Sequence, residues 1–120
     1  MPVCFSEVKQ ILDDAIAAWT AMHGRAPDLT HHDAGFGWST REQLLNATGY
    51  GYPLIDPEKI GNNQGDQTNL VIALTNPAGV MGFGRMPNDG PYLPQEKIDV
   101  IIAWINDGAL DDGGQLANSV

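Results

Sequence analysis

Cysteine is almost absent from this chain: Cys4 is the only one in 120 residues. A lone thiol excludes an internal disulfide and any motif built on a cysteine pair. No long apolar run of the kind that forms a secretion signal stands ahead of it. Basic residues are scarce too, 6 Lys and Arg against 15 Asp and Glu, which leaves a net charge of −9. A field of that sign repels nucleic acid and anionic membrane surfaces. It suits a basic partner, a salty environment or, most plainly, a well-solvated surface. No segment approaches the roughly 18 apolar residues that span a bilayer, so no membrane insertion is expected. Alternating strand patterns of useful length and internal repeats are missing as well. The opening Met-Pro-Val is compatible with a trimmed signal or with further domains of a larger polypeptide.

What is present is helical periodicity. From Ser6, a candidate N-cap, the residues Val8, Ile11, Leu12, Ala15, Ile16, Trp19 and Met22 recur at three- and four-residue spacing until Gly24 and Pro27. Ser39 and Glu42 have the spacing of a capping box for a short helix through Leu44, Leu45 and Ala47, with Gly49 as its stop. Asp66 is the expected cap of a third helix through Leu70, Val71 and Leu74, closed by Asn76 and Pro77. Pro94 suits the first turn of a fourth, with Ile98, Ile101, Ile102 and Ile105 facing the core and Trp104 alongside, and Asn106-Asp107-Gly108 ends it. The expectation is one all-α domain over residues 1–110, about four helices with long connecting loops, and a polar, frayed tail over 111–120. Loops as long as Gly24–Trp38, Gly49–Gly65 and Pro77–Leu93 usually wrap a ligand or carry function.

These pieces together resemble the cytochrome c family, in particular its planctomycete-type single-haem domains. The resemblance rests on Phe5 ahead of Val8-Lys9-Gln10-Ile11-Leu12, on Gly65-Asp66-Gln67-Thr68-Asn69-Leu70, on Met86-Pro87 and on Leu93 through Ala109, where Trp104-Ile105 is followed by Gly108-Ala109. It covers roughly Val3 to Ala109, and it is the order of the motifs rather than any one of them that is specific. It implies a haem-wrapping helical fold, an axial methionine at Met86 and a periplasmic or secreted home.

The chain departs from the family at the decisive place, since one cysteine cannot make Cys-x-x-Cys-His. Aligned without a gap, the motif positions read Ile16-Ala17-Ala18-Trp19-Thr20; with three extra residues they read Trp19-Thr20-Ala21-Met22-His23, and His23-Gly24 then matches the family's His-Gly. Either way both thioether positions are apolar, so covalent haem attachment there is excluded. An empty site of ~300 Å³ at ~24 cal/mol per Å³ would cost about 7 kcal/mol, as much as the whole stability of a small domain. The space must therefore be filled, and Ile16, Trp19, Met22 and Trp38, with Phe36 and Phe83 in the flanking loops, are the expected fillers. The resulting expectation is a haem-free, non-catalytic module for a protein partner or a small ligand. The alternative is an electron-transfer protein with non-covalent haem ligated by His23 and Met86, a sound axial pair.

Other constellations point to less. His31-His32-Asp33 reads as a solvated loop rather than a metal site, and Gly61 to Asp66 lacks the acidic periodicity of a calcium loop. Aromatics in Gly35-Phe36-Gly37-Trp38 and Tyr50-Gly51-Tyr52 read as core plugs. Gly82-Phe83-Gly84 lacks the strand and third glycine of a dinucleotide loop. No serine, cysteine or carboxylate set nominates a catalytic centre, so enzymatic activity is not expected.

Overall fold

The computed structural model describes residues 3–25, 36–49, 51–76, 86 and 91–111. The described residues are mostly helical, with four α-helices and one minimal antiparallel pair of strands. The tail beyond Asp111 lies outside them.

Helix α1 runs Phe5–His23. It begins one residue before the expected cap, because the backbone N–H of Phe5 donates to the Leu110 carbonyl at 2.9 Å. A first-turn donor satisfied in this way needs no serine cap, and Ser6 sits exposed within the first turn. Gly24 closes the helix at φ 71°, its N–H on the Thr20 carbonyl, which is the left-handed C-cap that glycine adopts without penalty.

Helix α2 spans Arg41–Asn46. Its cap is Thr40 rather than Ser39: the Thr40 hydroxyl accepts from the Gln43 N–H at 3.0 Å, and the Gln43 side-chain oxygen accepts from the Ser39 N–H at 2.8 Å. The cap is thus shifted by one residue and Gln43 reaches back past it to Ser39, a register that buries Arg41 and Leu44 and leaves Glu42 in water. Gly49 is not the helix stop. Ala47 ends the helix, and β1 (Thr48–Gly49) pairs with β2 (Tyr52–Pro53) in the register Thr48 to Pro53 and Gly49 to Tyr52.

Two 3₁₀ turns, Pro57–Lys59 and Gly65–Gln67, lead to α3 (Asn69–Thr75). Asp66 falls exposed in the second turn and caps nothing. The N-cap is Thr68, fully buried, whose hydroxyl donates to the Gly65 carbonyl at 2.8 Å and accepts from the Val71 N–H at 3.4 Å. Asn76 closes α3 as expected. Helix α4 is Gln95–Asn106, with Pro94 at the N-cap and Asp107 at the C-cap.

The core forms where α1 and α3 meet α4. Val8, Leu44, Ile55, Ile98, Ile101, Trp104 and Ile105 are wholly inaccessible to solvent. Trp104 is therefore central, not peripheral, and Ile102 only partly buried. The Trp104 indole N–H donates to the Leu110 carbonyl at 2.8 Å, and Phe5 lies 6.1 Å from its ring. Ile55 plugs the core from what reads in sequence as plain loop. The Leu54 N–H donates to the Ala47 carbonyl and the Leu54 carbonyl accepts from Leu70, so that segment is tied to α2 and α3.

The Gly65 turn lies directly on α4. Its N–H donates to the Asn106 side-chain oxygen at 2.8 Å, and a Cβ built there would stand 2.8 Å from the Ile102 carbonyl oxygen. Backbone cannot yield as a side chain does. Gly65→Ala is accordingly expected to destabilise the fold by about 1–3 kcal/mol, the usual cost of overpacking, read as a lower midpoint in urea unfolding.

Candidate functional site

The residues expected at the site divide between two parts of the molecule. The first is the C-terminal half of α1. Trp19 is only 7% exposed, yet it stands outside the cluster of buried residues that forms the core. One helical turn on, the His23 imidazole stacks on its indole, with centroids 4.1 Å apart and planes 29° from parallel. This is the i, i+4 contact that helix geometry provides. The Arg25 guanidinium carbon lies 5.1 Å from the same indole, within cation–π range. Ile16 is half-buried nearby in sequence. Met22, expected as a pocket filler, lies at the surface instead and is 64% exposed.

The second part is the core itself, where Trp38 and Met86 lie. Both are half-buried and pack against the core cluster. Met86 is fixed to α3 by its N–H, which donates to the Ala73 carbonyl at 2.7 Å. Trp38 is fixed to α1: its indole N–H donates to one Asp13 carboxylate oxygen at 2.9 Å, while Lys9 donates to the other at 2.6 Å. Phe36 meets Trp38 edge-on with centroids 5.8 Å apart. Phe36 and Trp38 thus pack as an aromatic pair tethered through Asp13. Phe83, Pro87, Tyr50 and the His31-His32-Asp33 run lie outside the described residues.

Sequence reading missed the polar members of this region. Lys9 and Asp13 stand four apart on α1, and nothing in the sequence joins Asp13 to Trp38, 25 positions away. The Lys9 hydrogen bond, then that from Trp38, hold the Asp13 carboxyl below the usual carboxylate range. Arg25 carried no motif, and its contact with Trp19 depends on the chain turning at Gly24.

The arrangement does not fit covalently attached haem. The only thiol, Cys4, begins α1, about five turns of helix from His23. At position 19, which the resemblance would give to an attachment cysteine, stands an indole with the His23 imidazole against its face. Among the described residues no three His, Cys, Asp or Glu side chains gather as a metal site, and no helix is long and apolar enough to cross a membrane. Comparison of the chain with models of known families, with curated proteins and with solved structures finds no match.

The Asp13 bridge has a pH signature. Its folded-state pKa lies below the unfolded value of about 3.9, so its contribution is present above that value and is lost as pH falls through the folded one. The carboxylate is half-exposed, which limits the contribution to about 1 kcal/mol or less. Asp13→Asn is expected to lower stability by that amount at neutral pH and to flatten the acid limb of the stability profile, followed by Trp fluorescence during urea unfolding.

Proposed function

We propose that this chain is a cytochrome c-like helical domain that carries no haem and serves as a non-catalytic module for a protein partner or a small ligand. The observation that carries the reading is the Trp19–His23 stack. Where the resemblance asks for a thioether sulfur and a free axial imidazole one turn later, the chain has a buried indole with that imidazole laid on it. Indole carbon forms no thioether with a haem vinyl group, and its bulk occupies space that the porphyrin edge would need. Filling that space with side chain avoids the cavity cost of several kcal/mol.

The rest of the reading follows from charge and resemblance. A net charge of −9 suits a partner with a basic surface. The family's usual location places the module outside the cytoplasmic membrane. No carboxylate, serine or thiol is assigned a catalytic role.

The test is the absorption spectrum and iron content of the protein as expressed. The expected result is aromatic absorption alone with iron far below one per chain. A Soret band with stoichiometric iron would overturn the reading. If His23→Ala and Met86→Ala each abolished that band, the iron would belong to a non-covalent haem held by this pair.

A further inference from the structure

Among the described residues only Arg41 is both charged and buried, with 7% of its surface exposed. It opens α2, and its Nε–H donates to the Ala109 carbonyl oxygen. That bond takes one of the five N–H donors of a guanidinium. The other four sit on Nη1 and Nη2, and among the described residues none of them meets a hydrogen-bond acceptor. The carboxylate within ion-pair reach is that of Glu42, 3.8 Å from Nη1, which is too far for a hydrogen bond. Glu42 is itself 59% exposed, so the Nη end of the fork lies close to the surface. A buried guanidinium whose donors go unmet is costly. In native proteins such a group marks a place for a further acceptor.

We propose that Arg41 anchors a binding site for a small carboxylate. Ala109 holds the Nε edge of the fork, and this leaves the end-on pair of Nη1 and Nη2. Two parallel N–H groups in one rigid plane match the two oxygens of a carboxylate, and the fixed Nε bond orients that plane in advance. Burial of the anchor restricts the visitor to a small molecule or the slim end of one. Charge restricts it further: at −9 the protein's own field penalises a dianion more than a monoanion. Glu42 stands at the rim as a competitor, close to Nη1 but mostly in water, and the incoming carboxylate takes the place it approaches.

This site gives the small ligand of the proposed module a chemical class and rests on that reading for its role. The spectral test reads iron, whereas the one below reads a guanidinium, so the two fail separately.

The experiment titrates the full chain, its arginines isotope-labelled, with sodium acetate and with sodium chloride at equal ionic strength, and follows the side-chain N–H resonances. Acetate reaches ~100 mM, well above the millimolar constant of a small ligand held by one fork. The arginines are Arg25, Arg41 and Arg85, and Arg25→Lys and Arg85→Lys in turn assign the Arg41 signals without altering Arg41. The expected result is a saturable movement of the Arg41 signals in acetate, absent in chloride and absent at the other two arginines. Glu42→Gln, at an exposed position, is expected to tighten acetate binding roughly fivefold, the weight of one exposed ion pair. Arg41 signals indifferent to acetate, or a response shared by chloride or by all the arginines, would overturn the proposal. Inorganic phosphate bound more tightly than acetate would contradict the choice of a carboxylate. A response confined to Glu42→Gln or to Asp112→Asn would give the guanidinium to a carboxylate of the chain itself and remove the site.

Discussion

Two consecutive carbonyl oxygens hold this fold closed. That of Leu110 accepts both the first N–H of α1 and the indole N–H of Trp104, and that of Ala109 accepts from the buried guanidinium of Arg41 at the head of α2. A fully buried indole must find an acceptor or forfeit a hydrogen bond in a medium that offers no water. Leu110 supplies it only because the chain reverses immediately after α4, with Gly108 at φ 107° and Ala109 at φ 54°. The same reversal returns the Ala109 N–H to the Trp104 carbonyl at 2.8 Å. One turn after the last helix thereby fixes where the first and second helices begin.

That constraint decides which part of α1 belongs to the core. With its start pinned beside Leu110, α1 packs on α4 through its first half. Phe5, Val8, Ile11 and Leu12 pack into the shared core, whereas Trp19 lies outside it, with His23 stacked on its indole and Arg25 over the ring. The half beyond the core is also where the exposed surface of the helix turns apolar, with Ala17, Ala18, Ala21 and Met22.

Periodicity revealed the helices because it reports a local property, the spacing of side chains on one face. It could not reveal that the stripe from Val8 to Met22 divides, with Val8, Ile11 and Leu12 in the core, Trp19 outside it and Met22 at the surface, since the elements that cover each part lie elsewhere in the chain. The cap positions show a similar limit. Cys4, Thr40 and Thr68 took the places expected for Ser6, Ser39 and Asp66, each within two residues. Several residues in each segment can cap, and the choice fell to whichever register buried the right neighbours. Ile55, Arg41 and the Asp13–Trp38 bond were illegible because their partners are distant in sequence. At the proposed site the sequence excluded a chemistry through its missing sulfurs, and the stack of His23 on Trp19 became apparent only in three dimensions.

If the domain is a haem fold with its anchors replaced, two substitutions should reinstate them. Trp19→Cys together with Met22→Cys places the attachment motif directly ahead of His23. The deciding measurement is the visible spectrum of that double variant, expressed where haem is attached to such motifs. The account predicts covalent haem with low-spin iron, and a changed spectrum when Met86→Ala is added. A covalently attached haem whose spectrum is indifferent to Met86, or a chain that no longer folds around it, would contradict the account.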